Sequence, residues 1–229
     1  MIIAAVGVSA VAAGAAAYGA FHRNSTLFGD VIRTLPKGGK TVSLTFDDGP
    51  NPSATPVILD ALADRDVRGT FFFLGSHVER WPELVARAAR EGHQIGNHGY
   101  YHRKLHFKSP AYVRDDLERG KRAIQEAGGG TPRLFRAPHG FRSPWVTPIA
   151  TSLGERTVGW SLGVWDSDCP GVDVIVQRSV DGVTPGSILL LHDGDGYAPI
   201  GDRMQTALAV PQIIDRLRER GYSFSTLPV

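Results

Sequence analysis

Val42-Ser43-Leu44-Thr45-Phe46-Asp47-Asp48-Gly49-Pro50-Asn51-Pro52 is the stretch that decides how this chain is read. Val42 to Phe46 has the apolar, β-branched and aromatic make-up of a buried strand. Gly49 to Pro52 is turn punctuation. Two adjacent aspartates therefore stand where a strand's C-terminal end opens into a loop. Working outward, strand-like runs recur at Thr41–Phe46, Thr70–Leu74, Gln94–Gly96, Leu134–Arg136, Thr157–Ser161 and Ser187–Leu191, with Tyr222–Ser225 near the end. Helical stretches separate them, near Ala54–Asp64, Val78–Glu91, Ala111–Ala127, Trp145–Ser152, Val172–Asp181 and Arg203–Arg220. Val57, Ile58, Ala61 and Leu62 form the apolar stripe of the first; Ala207, Val210, Ile213, Ile214 and Leu217 form that of the last. Repeated βα units imply an α/β fold with a parallel sheet. A (β/α) barrel and an open doubly wound sheet both put their sites at strand C-terminal ends, and the pattern alone leaves both open.

Four more short motifs follow the acidic pair in order: His98-Gly99-Tyr100-Tyr101-His102, Arg136-Ala137-Pro138-His139-Gly140, Trp165-Asp166 and Leu191-His192-Asp193. An isolated Asp-Asp-Gly is most often a solvated turn, and an isolated H-x-x-x-H an accident of a polar surface. Here the polar clusters follow strand-like apolar segments, and Ile188–Leu191 leads straight into His192. Several clusters at several strand ends converge more naturally on one site than on unrelated decorations. His98 and His102, four apart, can aim both imidazoles the same way on a helical turn or a tight loop. Adjacent Asp47 and Asp48 leave the backbone in different directions, so one can bind a metal while the other stays free as a base. The set supplies three metal ligands, a spare carboxylate, a guanidinium to hold it and a distant histidine as acid. That is the inventory of metal-assisted amide or ester hydrolysis.

On these motifs the chain resembles the polysaccharide deacetylase family, the nodulation-protein deacetylases with their chitin, peptidoglycan and xylan relatives. The likeness runs from about Lys40 to the C-terminus, and Thr45-Phe46-Asp47-Asp48-Gly49-Pro50 matches the family's first motif without change. The resemblance implies a distorted, incomplete (β/α) barrel with parallel strands. It implies removal of N-acetyl, or O-acetyl, groups from a glycan such as peptidoglycan, chitin or a chitooligosaccharide. By the same likeness Asp47 is the general base, and Asp48, His98 and His102 hold a divalent metal. Arg136 orients the base, the backbone N–H of His139 helps hold the oxyanion, Asp166 tunes the acid, and His192 is that acid. Two histidines and an aspartate suit Zn2+, the expected ion, among first-row metals. Three positions depart from the family pattern: Gly99 where Ser or Thr is usual, His139 where Tyr is usual, and Ser167 after Asp166 where Trp is usual. They point to a divergent subgroup in acceptor more than in chemistry.

Two readings compete. One is a carbohydrate-binding relative with weak or lost catalysis, against which intact Asp47 and His192 speak. The other is a serine hydrolase: Gly159-Trp160-Ser161-Leu162-Gly163 fits G-x-S-x-G, and Asp166 or Asp173 and then His192 follow. A nucleophile elbow needs a helix directly after Ser161, where loop punctuation stands instead. Gly39-Lys40-Thr41 fails as a phosphate loop, because Thr34 occupies the required glycine position and a strand follows.

A chain of 229 residues with 42% hydrophobic residues can bury the core of one catalytic domain. Net charge of +2, with no Lys/Arg run, gives no reason to expect nucleic acid. Cys169 is alone, so no internal disulfide forms. Met1 to Ala20 carries no charged side chain and is rich in Ala, Gly and Val, long enough to span a bilayer as a helix. It reads as a membrane anchor or an uncleaved signal, with residues 1–27 as apolar segment and linker and 28–229 as the catalytic domain. Membrane association through residues 1–20 and a place at the cell envelope, anchored or exported, are expected. Nothing in the pattern fixes an oligomeric state.

Overall fold

The computed structural model describes residues 13–36 and 38–229. Helix α1 covers residues 13–21 of the described chain. Then follow β1 (Thr41–Asp47), α2 (Ala54–Ala63), β2 (Thr70–Phe73), α3 (Gly75–Val78), α4 (Pro82–Arg90), β3 (Gln94–Asn97), α5 (Pro110–Glu126) and β4 (Leu134–Phe135). The second half adds α6 (Val146–Ser152), β5 (Arg156–Thr157), β6 (Leu162–Gly163), α7 (Val172–Gly182), β7 (Ile188–His192), α8 (Met204–Glu219) and β8 (Ser223–Phe224). The strands pair in parallel in the order β5-β4-β3-β2-β1-β7-β6, with β8 beside β1. The architecture is a distorted, incomplete (β/α) barrel.

Strand alternation sorts β1 into two faces. Val42, Leu44 and Phe46 pack outward with Phe71, Phe73, Leu189 and Leu191 against Ile58, Val176, Val210 and Ile213 of the covering helices. Each such side chain contributes about 1.5–3 kcal/mol on burial. Ser43, Thr45 and Asp47 point the other way, into the barrel. There Ile32, Leu35, Phe72, Leu134, Val158, Ile188 and Leu227 plug the interior below the strand ends.

The expected strand Thr157–Ser161 is instead two short strands at opposite ends of the sheet order. Val158 N donates to Phe135 O at the end of β4 (2.8 Å), and three residues later Ser161 N donates to Ile188 O on β7 (3.1 Å). Residues 158–161 thus cross the gap between the two edges, and this crossing takes the place of the missing ladder. The expected helix Val78–Glu91 also divides: Pro82 stands at the start of α4, where its missing N–H costs nothing but where it prevents continuation from α3.

The apolar run Met1–Ala20 lies largely outside the described residues. Among the described residues no helix is long and apolar enough to cross a membrane. The linker expected up to residue 27 is not free: Arg142 N donates to Ala20 O (3.0 Å), and the Asn24 amide bonds the Trp160 carbonyl (2.9 Å).

Candidate active site

Parallel strands in register deliver their last side chains to one rim. The β1–β7 register sets Asp47 beside His192, the final residue of β7. Strand β3 ends at Asn97, immediately before His98; β4 ends at Phe135, immediately before Arg136. A cavity of about 590 Å³ opens over this rim, and its lining includes Asp47, Asp48, His98, His102 and His192.

Asp48 Oδ1 lies 3.2 Å from His98 Nε2 and 3.1 Å from His102 Nε2. One ligand atom from each of the three lies within 4.8 Å of the others. The Asp48 oxygen is buried and has no hydrogen-bond partner among the described residues. His98 Nδ1 meets the Arg136 carbonyl at 2.8 Å, which fixes the ring with Nδ1 as donor and leaves the Nε2 lone pair free for a ligand. An orphaned carboxylate oxygen facing two imidazole nitrogens fits a divalent cation. Burial alone would raise the Asp48 carboxyl, but the His102 and His98 rings hold it well below the usual carboxylate range. Burial pushes His102 down to about 3, so its ring is neutral at physiological pH, as a ligand must be.

Asp47 is held differently. Arg136, fully buried, donates from Nη1 to Asp47 Oδ1 and to Thr45 Oγ1, both at 2.8 Å, and from Nη2 to Gly159 O at 2.9 Å. Its guanidinium lies 4.2 Å from the centroid of Phe72 and 5.7 Å from that of Trp160. Burial lowers the Arg136 pKa and the Asp47 carboxylate pulls it back up. Asp47 is thereby positioned without being used as a ligand in the three-residue cluster.

His192 Nδ1 meets Asp166 Oδ1 at 2.9 Å, and the His192 backbone N–H donates to Asp166 Oδ2 at 2.8 Å. Thr206 Oγ1 donates to the same Oδ2 at 2.8 Å. Burial disfavours the imidazolium, but the Asp166 carboxylate outweighs it and pushes His192 up to about 9. Burial likewise opposes the Asp166 anion, yet His192 keeps its carboxyl below the ordinary value.

All eight residues selected from the sequence meet at this rim. His139, on a 3₁₀ turn, has its ring 4.5 Å from that of His102 and accepts or donates a 2.8 Å bond with Tyr197 Oη. Asp48, His102, His139 and Trp165 all have left-handed backbone, with φ of 72°, 52°, 59° and 58°. Gly99 explains itself: its φ is +81°, and a Cβ there would meet Asp116 Oδ2 at 2.5 Å. Asp116 accepts from Tyr100 N (3.1 Å) and Tyr101 N (3.3 Å), bracing the histidine loop.

Asp116, Thr206, Trp160 and Tyr197 escaped the sequence reading, since nothing local marks an aspartate or threonine within a helix as reaching a distant loop. Ser161 is not a nucleophile: Ile188 N donates to its Oγ at 2.9 Å, and β6 rather than a helix follows it.

Residues 34–158 match the family model described as polysaccharide deacetylase. A chitooligosaccharide deacetylase of Bradyrhizobium sp. is 39% identical over 210 residues, 88% of this chain and 93% of the relative. A peptidoglycan-N-acetylglucosamine deacetylase of Bacillus cereus is 38% identical over 204 residues, 87% of this chain and 92% of the relative. A crystal structure of a peptidoglycan N-acetylglucosamine deacetylase superposes with a TM-score of 0.81 at 33% identity, covering 86% of this chain and 91% of that one.

Proposed function

The chain belongs to the polysaccharide deacetylase family and is a metal-dependent hydrolase of acetylated glycans, and we propose that it uses Zn2+ to remove the N-acetyl group from an N-acetylglucosamine unit of a peptidoglycan or chitin-type chain. The observation that carries this is the division of labour between neighbours: Asp48 faces two imidazoles while Asp47 faces a buried guanidinium. Asp48, His98 and His102 would hold the ion, which when bound supplies a Lewis acid for the acyl carbonyl and lowers the pKa of water toward neutrality. Asp47, fixed by Arg136, takes the proton of the water that attacks the acyl carbon. The backbone N–H of His139 donates to the oxygen that becomes negative. As the C–N bond breaks, the electron pair stays on nitrogen and His192 Nε2 gives its proton there, leaving free acetate and an amine. Asp166 keeps His192 charged for that step.

Acetate release from a panel of N- and O-acetylated glycans tests this, with and without a chelator and with metal added back. Release from N-acetylated chains that is lost on chelation and restored best by zinc is the expected result. Activity untouched by chelation overturns the reading. The uncharged run of residues 1–20 supports a place at the cell envelope. Cell fractionation checks that, and full-length protein in the soluble cytosolic fraction would contradict it.

A further inference from the structure

The cavity over the metal cluster has a wall that the hydrolytic reaction does not use, made of Phe21, His22 and Arg23. These residues are fastened from two sides. Arg142, buried among them, donates from Nη2 to the carbonyls of His22 (3.3 Å), Arg23 (3.2 Å) and Ser25 (2.9 Å). Asn24 pairs with Trp160 in both directions, Nδ2 to its O at 2.9 Å and its N to Oδ1 at 3.3 Å, while Arg23 Nε donates to the same carbonyl at 3.2 Å. Gly140, with φ of +73°, leaves the room: a Cβ there would meet Arg23 Cβ at 2.8 Å and the Trp160 ring at 2.9 Å.

From this wall an aromatic track runs back to the metal cluster. The rings of Phe21 and Phe141 are 5.4 Å apart, Phe141 and His139 5.8 Å, His139 and His102 4.5 Å. Phe21 is nonetheless 51% exposed, so its ring is presented to the cavity side rather than spent on the core. A pyranose has an apolar C–H face and a polar rim, the chemistry that stacks on such rings in an otherwise polar cleft. We infer that Phe21–Arg23 form a fixed wall of the substrate cleft and that Phe21, with Phe141, is a stacking platform for a second sugar ring of the glycan. This rests on the glycan reading above. Continuity with the metal cluster fixes the occupant as a neighbour of the sugar being deacetylated.

The test compares Phe21→Ala and Phe21→Tyr with the parent, as full-length zinc-loaded protein, on a tetramer of N-acetylglucosamine and on an aryl acetate too short to reach the wall. Phe21→Ala is expected to raise KM for the tetramer about tenfold with kcat nearly unchanged. The aryl acetate should respond as for the parent, and Phe21→Tyr should restore the parental KM. An unchanged KM, or equal losses on both substrates, overturns the platform. Acetate release by the parent decides the glycan reading separately. Should the parent release none, calorimetric binding of the same tetramer still decides the platform, which unchanged affinity in Phe21→Ala would rule out.

Discussion

Arg136 and Arg142 lie on the same short stretch and are both sealed from water, yet their surroundings differ in kind. Arg136 faces a carboxylate, Asp47, across 2.8 Å. Arg142 faces only Thr147 Oγ1 and the main-chain oxygens of the N-terminal segment, and among the described residues no carboxylate lies within ion-pair distance. Burial without a counter-charge drags Arg142 down to about 10, whereas Asp47 works against the same penalty at Arg136. One guanidinium holds the carboxylate to which the proposed mechanism gives the role of base; the other holds a piece of chain by its dipoles. Loss of the first should therefore appear in turnover, and loss of the second in stability.

The sharpest way to break that contrast is at the metal cluster on the Arg136 side. His98→Ala and His102→Ala should each lose the bound ion, read by elemental analysis, and amide hydrolysis with it. Unchanged metal content in both would remove the cluster from the chemistry. Next, Asp47→Asn should keep the metal and lower kcat about a hundred- to ten-thousandfold, because the amide has nearly the carboxylate's shape but cannot take the proton. If it lost the ion while Asp48→Asn kept it, the two aspartates would exchange roles.

A smaller effect is expected across the rim. His192→Ala should damage amide hydrolysis far more than hydrolysis of an aryl acetate, whose leaving group needs no proton. With His192 raised to about 9, the proton-donating form persists through neutrality and is lost as pH rises through that value. Asp166→Asn removes the attraction that outweighs burial, so the alkaline limb of the amide rate profile should move to lower pH. The same shift has a stability sign: the contribution of this pair is full below the ordinary 6.5 and is lost as pH rises through about 9. Equal loss on both substrates and no movement of the limb would leave His192 a structural role.

The least effect on turnover belongs to Arg142→Met. It should leave metal content and aryl acetate hydrolysis parental, while three carbonyl oxygens lose their donor and stability falls by roughly 1–3 kcal/mol in denaturant titration. A large fall in turnover on the short substrate would dissolve the distinction between the two arginines.

Most of the barrel and of its rim could be read from the sequence because the signals are local. An apolar run followed by a polar motif says strand, then strand end, and Val42–Asp48 and Ile188–His192 say it twice. The division of residues 156–163 between two edges could not be read, because the crossing is made by backbone bonds to strands far away in sequence. The docking of residues 20–25 was hidden for a related reason: Arg142 grips carbonyl oxygens, which every residue carries, so the gripped segment shows no pattern of its own. Asp116 stands on a helix among other charged residues, and only the fold reveals that it braces the histidine loop.

The four left-handed residues around the cleft carry one more implication, for descent. Backbone of that kind costs a non-glycine residue on the order of 1 kcal/mol or more, and here it is concentrated at Asp48, His102, His139 and Trp165. Asp48→Gly would give up a ligand and gain backbone ease at the same stroke. Once selection for turnover is withdrawn, glycine at such a position silences the site while relieving backbone strain, and the barrel outlasts its chemistry.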